Sequence, residues 1–122
     1  MSKVIVVDDE PFILMMIEDK LRKAKIDVIG LRESSRALEV IKKELPDLII
    51  LDWMMPDLSG IELCRMIKAD ADVKNIPIFM LTAKGQDSDE QQGILCGVRR
   101  YITKPFSPKS LLEMVQETLG EA

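Results

Sequence analysis

The sequence predicts an α/β domain in which helices cover both faces of a five-stranded parallel sheet. Short apolar runs, the pattern of strands buried on both faces, recur along the 122 residues. Segments with helical periodicity separate these runs, so that strands and helices alternate. Because crossovers between parallel strands are right-handed, such an order places helices on both faces of one sheet.

Five strands are predicted, and polar or charged residues follow directly after four of them. We call these residues the markers. β1 leads into Asp8 and Asp9, β3 into Asp52, β4 into Thr82 and β5 into Lys104. The predicted strands are β1 (Lys3–Val7), β2 (Asp27–Leu31), β3 (Leu48–Leu51), β4 (Ile78–Leu81) and β5 (Arg100–Thr103).

Five helices are predicted between and after these strands. In α1, Leu14, Ile17, Leu21 and Ala24 recur at helical spacing and form one apolar face. The predicted helices are α1 (Pro11–Ala24), α2 (Ser35–Glu44), α3 (Gly60–Ala69), α4 (Ser88–Cys96) and α5 (Pro108–Leu119).

The predicted α4 and α5 differ in their stability signals. Helix α4 contains Gly93, which costs about 1 kcal/mol relative to alanine, and offers only Ile94 and Leu95 as large apolar side chains. We therefore expect α4 to be the least stable helix. Helix α5, in contrast, opens with Ser107 as N-cap and Pro108 in its first turn.

The strand order determines where the markers should meet. Five strands connected in this way commonly take the doubly wound, flavodoxin-like order 2-1-3-4-5, and ligands bind where that order reverses, between β1 and β3. Asp8, Asp9 and Asp52 follow these two strands, while Thr82 and Lys104 follow β4 and β5. Because parallel strands end along one edge, we expect all five side chains to converge there.

The chemistry of this group suits a cation and a phosphoryl group. Three neighbouring carboxylates repel one another, so one must take up a proton or share a cation. Oxygen ligands favour Mg²⁺, and a carboxylate such as Asp52 can attack phosphorus to give an aspartyl phosphate. The Lys104 ammonium would neutralise phosphoryl charge, and the Thr82 hydroxyl would donate to a phosphoryl oxygen.

Each marker also has an ordinary explanation when it is taken alone. Asp8 and Asp9 could cap α1, and Asp52 could be a turn residue. Thr82 could simply end a strand, and Lys104 could be a solvated surface lysine. Their joint placement at the edge that the topology assigns to ligands favours a functional site.

Composition excludes several other classes of function. A net charge of −4 and an isoelectric point of about 4.9 argue against nonspecific binding to nucleic acid. No apolar run approaches the roughly 20 residues that span a bilayer, and Met1-Ser2-Lys3 leads directly into β1, so we expect a cytoplasmic protein. The absence of histidine excludes Ser-His-Asp sites, Cys-His sites and histidine-ligated metals.

The two cysteines, Cys64 and Cys96, stand singly within helical patterns. They lack Cys-x-x-Cys spacing, and no disulfide framework is indicated. We expect both to be buried, reduced thiols.

The chain resembles the receiver domain of bacterial two-component response regulators, of the single-domain type, over nearly all of residues 1–122. Four segments in the same order and spacing carry this resemblance. The segments are Val6-Val7-Asp8-Asp9-Glu10-Pro11, Leu51-Asp52-Trp53-Met54-Met55-Pro56 with Gly60, Leu81-Thr82-Ala83 and Tyr101-Ile102-Thr103-Lys104-Pro105-Phe106.

The resemblance implies a phosphorelay function and a set of site residues. Asp52 would accept a phosphoryl group from a phosphohistidine on a sensor histidine kinase or phosphotransfer protein, which a chain without histidine cannot itself carry. Asp9 and Asp52 would bind Mg²⁺ directly, the Met54 carbonyl would complete the protein ligands, and Asp8 would act mainly through water.

The resemblance also implies a switch. Lys104 and Thr82 would contact the phosphoryl group, and the Lys104-Pro105 bond would be cis. Movement of Thr82 would let Tyr101 turn inward and remodel the α4-β5-α5 face for a downstream protein partner or a phosphorylation-dependent dimer. The chain would act on no membrane or nucleic acid and would be no enzyme beyond assisting its own phosphorylation and dephosphorylation.

Other functions remain as alternatives. The chain could be a phosphorelay intermediate or a receiver excised from a longer protein, although its end soon after α5 favours a single domain. A haloacid-dehalogenase-type phosphatase would need an acid at the position of Met54. A flavin-binding electron carrier would need a Ser/Thr/Gly-rich phosphate loop after β1, where Asp8-Asp9-Glu10-Pro11 stands.

Overall fold

The computed structural model of the protein describes residues 2–83 and 96–120. These residues form β1 (Lys3–Val7), α1 (Pro11–Lys23), β2 (Asp27–Leu31), α2 (Ala37–Glu44), β3 (Leu48–Asp52), α3 (Gly60–Lys68), β4 (Ile78–Ala83), β5 (Arg100–Lys104) and α5 (Pro108–Leu119). The predicted α4 lies outside the described residues, apart from Cys96, and so does the expectation about its stability. Within the described ranges, no helix combines the length and apolar character needed to cross a membrane.

The strands form one parallel sheet in the order β2-β1-β3-β4-β5, which confirms the predicted doubly wound topology. β1 and β3 are neighbours, with Val7 beside Leu51, and β3 continues beside β4, with Asp52 beside Leu81. The carboxyl ends of β1 and β3 therefore lie together at the reversal of strand order.

Two apolar clusters enclose the sheet, one on each face. On one face, Ile5, Val7, Ile49 and Leu51 pack with buried side chains of α2 and α3. On the other face, the alternate residues of the same strands pack against α1 and α5. The buried residues of these helices are Leu14, Ile17, Leu21, Leu111 and Val115. The central strands are buried on both sides, which explains why they appear in sequence as continuous apolar runs.

Helices α1 and α5 begin and pack largely as predicted. Pro11 occupies the first turn of α1, and Leu14, Ile17 and Leu21 are its buried residues. Ser107 caps α5 by accepting a hydrogen bond from the Ser110 N–H at 3.3 Å.

Three strands extend past their predicted ends, and one helix begins later than predicted. β3, β4 and β5 include Asp52, Thr82 and Lys104 because the backbone ladder continues past the last apolar residue. Helix α2 begins at Ala37 rather than Ser35, after a turn in which the Ala37 N–H donates to the Ser34 carbonyl and the Ser35 N–H donates to Asp57.

The expectation that both cysteines are reduced is wrong. A disulfide joins Cys64, in α3, to Cys96, in the segment before β5, with the Cα atoms 6.6 Å apart. The two residues are 32 positions apart and match no cysteine motif. Their proximity follows from how α3 packs beside the entry to β5, which spacing in the sequence does not reveal.

Candidate functional site

The carboxyl edge of the sheet assembles a charged cluster around Lys104. The Lys104 Nζ lies 3.1 Å from Asp52 Oδ1, 3.3 Å from Asp8 Oδ2 and 3.0 Å from Glu10 Oε1. Asp8 is fully buried and Asp52 is 4% exposed. One ammonium group thus links the end of β5 to the ends of β3 and β1, as the placement of the markers predicted.

Backbone contacts hold the two buried carboxylates in place. The Asp8 N–H donates to the Leu31 carbonyl at 3.0 Å, and Asp8 Oδ1 accepts from the Glu10 N–H at 2.9 Å. Behind Asp52, the Trp53 N–H donates to the Leu81 carbonyl at 2.8 Å. Both side chains therefore project from fixed backbone positions.

Gly60 closes the segment that follows Asp52. Its N–H donates to the Trp53 carbonyl at 2.9 Å. A Cβ at this position would collide with the carbonyl oxygen of Asp52. Only glycine permits this close approach of α3 to the end of β3.

The surroundings of Asp52 oppose its ionisation. Burial, followed by the negative charge of Asp8, raises the pKa of Asp52 to about 7, even though Lys104 acts in the opposite direction. Burial also raises the pKa of Asp8. Asp52 therefore exchanges its proton near neutral pH, where a cation entering the site would favour the ionised form.

Lys104 stays charged in this environment. Burial acts to lower its pKa, but the charge of Asp52, a hydrogen bond to Glu10 and the charge of Asp8 outweigh that effect and raise the pKa to about 12. A permanent positive charge consequently stands beside the Asp52 carboxylate.

Thr82 brings an unused polar group to the same edge. The side chain is 3% exposed, and its hydroxyl makes no hydrogen bond within the part of the chain that the structure describes. A buried hydroxyl without a partner is costly, and such groups in folded proteins usually have a functional reason. Thr82 lies near the end of β4, the strand next to Asp52, so an oxyanion bound there would give its hydroxyl an acceptor.

The acidic residues suit a hard divalent cation. Carboxylate oxygens of Asp8, Glu10 and Asp52 lie within 4.8 Å of one another. Asp9 also interacts with this group, because a side-chain hydrogen bond with Asp9 contributes to the raised pKa of Asp52. A donor set made only of oxygen atoms fits Mg²⁺. The specific ligand roles of Asp9 and the Met54 carbonyl stay predictions.

Sequence reasoning missed Glu10. Its carboxylate contacts Lys104 directly, although more than half of the side chain is exposed. The signal was present in the third consecutive acidic residue after β1. The topology indicates the residues nearest the strand end, Asp8 and Asp9, whereas Glu10 stands one position further along the chain.

The acceptor region also contacts Tyr101, the predicted switch residue. The ring of Trp53, which follows Asp52, meets the ring of Tyr101 edge to face, with the centroids 6.5 Å apart and the planes at 62°. The Lys104-Pro105 peptide is cis, as the resemblance implied.

Comparisons of sequence agree with these observations. Residues 4–116 match the family described as the response regulator receiver domain. The chain is 44% identical over 116 residues to the phosphate regulon transcriptional regulatory protein PhoB of Pseudomonas aeruginosa, covering 95% of this chain and 51% of that protein. It is 39% identical over 118 residues to the alkaline phosphatase synthesis transcriptional regulatory protein PhoP of Bacillus subtilis, covering 97% and 49%. The chain thus spans about half the length of these curated relatives.

Solved structures show the same likeness over whole chains. The chemotaxis response regulator CheY4 of Vibrio cholerae superposes with a TM-score of 0.89 at 32% identity, covering 97% of this chain and 98% of that one. The receiver domain of the sensor histidine kinase PA1611 of Pseudomonas aeruginosa, solved with magnesium in its active site cleft, gives 0.89 at 27% identity and 98% coverage of both.

Proposed function

Because the chain belongs to the response regulator receiver domain family, we propose that it is a signalling switch in which Asp52 accepts a phosphoryl group. The observation that carries this proposal is the buried Asp52 carboxylate, held 3.1 Å from the permanent charge of Lys104 at the reversal of strand order. We infer from the family that the donor is a phosphohistidine on a sensor histidine kinase or phosphotransfer protein. Because the chain has no histidine, that group would belong to another protein.

The chain's own residues account for the transfer. An oxygen of ionised Asp52 attacks phosphorus as the bond from phosphorus to the donor's imidazole nitrogen breaks, which gives an aspartyl phosphate and a free histidine. Lys104 offsets the charge of the phosphoryl oxygens, and the Thr82 hydroxyl donates to one of them. This role would satisfy the hydroxyl that the fold leaves without a partner among the described residues.

Mg²⁺ completes the proposed site. Asp9, Asp52 and the Met54 carbonyl would hold the ion directly, and Asp8 would act through water. When bound, Mg²⁺ would add positive charge to that of Lys104 and favour the ionised form of Asp52. The carboxylate oxygens of Asp8, Glu10 and Asp52, which lie within 4.8 Å of one another, support a cation at this edge of the sheet.

The family resemblance implies that the output of the switch passes through Thr82 and Tyr101. Movement of Thr82 towards the phosphoryl group would let Tyr101 turn inward and remodel the α4-β5-α5 face for a downstream protein or a second copy of the chain. We place this exchange in the cytoplasm. The chain would assist only its own phosphorylation and dephosphorylation.

Intact-mass spectrometry after incubation with Mg²⁺ and acetyl phosphate tests the proposal. We expect the wild type to gain one phosphoryl group and Asp52→Ala to gain none. Asp47→Asn is the matched control, because Asp47 is an acid at the opposite end of β3, where it accepts from the Lys3 N–H. A wild type that gains no phosphoryl group and binds no Mg²⁺ would refute the switch.

A further inference from the structure

Ser34 and Asp57, two residues to which the proposed chemistry gives no role, tie together two loops beside the site. Ser34 is 1% exposed, and its hydroxyl oxygen lies 2.6 Å from Asp57 Oδ1. The Ser35 N–H donates to the other carboxylate oxygen of Asp57 at 2.8 Å, and the Leu58 N–H donates to the Ser34 hydroxyl oxygen at 3.1 Å. We call this group of hydrogen bonds the Ser34–Asp57 clasp.

The clasp joins the loop before α2 to the segment 53–59, which connects Asp52 to α3. Each partner is close in sequence to a residue at the site. Leu31, three residues before Ser34, accepts a hydrogen bond from the Asp8 N–H. Asp57 lies five residues after Asp52. A cleft of about 490 Å³ between them is lined by Asp9, Arg32, Glu33 and Pro56. The clasp therefore sets the separation between a predicted metal ligand and the segment that carries Met54.

The segment 53–59 has few other restraints in its middle. Trp53 and Met55 are buried and Gly60 anchors its end, whereas Met54, Pro56 and Asp57 are exposed. The hydrogen bond from Ser34, followed by that from the Ser35 N–H, holds the pKa of the Asp57 carboxyl well below its usual range. The carboxylate is thus charged whenever the site operates, and the hydrogen bonds to it are charge-assisted.

We propose that Ser34 and Asp57 are positioning residues for Mg²⁺, because they hold the Met54 carbonyl in place relative to Asp9 and Asp52. This inference rests on the proposed function. Hydrogen-bonded groups outside the ligands themselves typically change metal affinity by about 10- to 100-fold when they are removed. The clasp would change the affinity for Mg²⁺ in this way. It does not contact the Met54 carbonyl, so its effect would pass through the backbone that carries Met54.

The test is the Mg²⁺ dissociation constant, measured by isothermal titration calorimetry at pH 8 on intact variants. We expect Asp57→Ala to raise it about 10-fold, with Ser34→Ala and Asp57→Asn raising it by smaller factors. Because the two residues share one contact, Ser34→Ala combined with Asp57→Asn should raise it by less than the product of the single effects.

Two controls separate positioning from charge and from stability. Glu33→Gln removes an equal charge from the same cleft without touching the clasp, and it should leave the dissociation constant within about 2-fold of wild type. Val115→Ala destabilises the α5 core, and it should shift the urea midpoint while leaving Mg²⁺ affinity unchanged.

The outcomes distinguish this inference from the proposed function. A wild type that binds Mg²⁺, with clasp variants that bind it equally well, overturns the positioning role and leaves the switch intact. The positioning role is also overturned if Glu33→Gln or Val115→Ala loses as much Mg²⁺ affinity as the clasp variants, because lost charge or lost stability would then explain the effect. A wild type that binds no Mg²⁺ overturns both.

Discussion

Asp52 is surrounded by groups that make its negative charge unfavourable in the folded protein. Burial and the charge of Asp8 raise its pKa to about 7, and Lys104 compensates only in part. The same features make the site ready for a cation. A divalent ion would reverse the balance by stabilising the charge that the fold destabilises.

The stability of the metal-free protein should therefore fall as pH rises from about 4 to about 7. In this interval the folded state holds a proton on Asp52 that the unfolded state, with an ordinary pKa near 3.9, has already released. Each unit of pKa difference corresponds to about 1.4 kcal/mol, so we expect a loss above about 1 kcal/mol. The raised pKa of Asp8 acts in the same direction.

Urea unfolding at pH 5 and pH 8 without Mg²⁺ measures this loss. Asp52→Asn should remove much of the pH dependence, while Asp47→Asn should retain it. Identical pH profiles for the wild type and Asp52→Asn would contradict the assignment of the raised pKa to Asp52.

At the scale of elements, the strand ends position the site. Asp52 and Lys104 are the last residues of β3 and β5, and Thr82 is the residue before the last of β4, so the ladder fixes their backbones. Apolar runs located these strands but placed each end too early, because backbone hydrogen bonding does not depend on the polarity of the side chain.

Gly60 is the element-scale contact most sensitive to substitution. Gly60→Ala should lower the free energy of unfolding by about 1–3 kcal/mol and slow phosphorylation, because the added methyl group displaces the Asp52 backbone. Urea unfolding and the mass-spectrometric rate with acetyl phosphate measure both effects.

Gly30→Ala is the matched control for Gly60→Ala. Its Cβ would meet the carboxyl carbon of Glu18 at 2.7 Å, and that flexible side chain can move away. We expect near-wild-type stability and phosphorylation. If Gly60→Ala behaves like this control, the close approach of α3 to β3 does not position Asp52.

The elements also show what could be predicted from the sequence and what could not. Alternation of apolar runs and helical segments gave the strand order, and that order brought Asp8, Asp52 and Lys104 together. The Ser34–Asp57 clasp and the Cys64–Cys96 disulfide stayed hidden, since each depends on loops or helices distant in sequence meeting in space. The turn before α2 involves the same kind of distant contact, because the Ser35 N–H bonds to Asp57, 22 positions away.

At the scale of the whole molecule, the site exists only when the sheet is complete. The ion pair between Lys104 and Asp8 joins residues 96 positions apart and connects the end of β5 to the end of β1, with β3 and β4 between them. No isolated segment of the chain can assemble this cluster. Binding of a cation or phosphoryl group at the site should therefore stabilise the whole domain.

The disulfide adds a second long-range restraint. It connects Cys64 and Cys96, 32 positions apart, and encloses β4 within the closed loop. By the entropy of loop closure, reduction should lower the free energy of unfolding by about 4 kcal/mol. Urea unfolding with and without dithiothreitol measures the difference. Cys96→Ala should not respond to the reductant, and an equal response in this variant would exclude the disulfide as the cause.

The contact between Trp53 and Tyr101 has an optical consequence. The chain contains one tryptophan and one tyrosine, and the two rings touch beside the acceptor. Light absorbed by the phenol passes to the indole at this separation, so the emitted spectrum comes from a single ring next to Asp52. A rearrangement that moves Tyr101 relative to Trp53 would change the emission of this indole, which gives the protein an intrinsic, label-free signal of its own state.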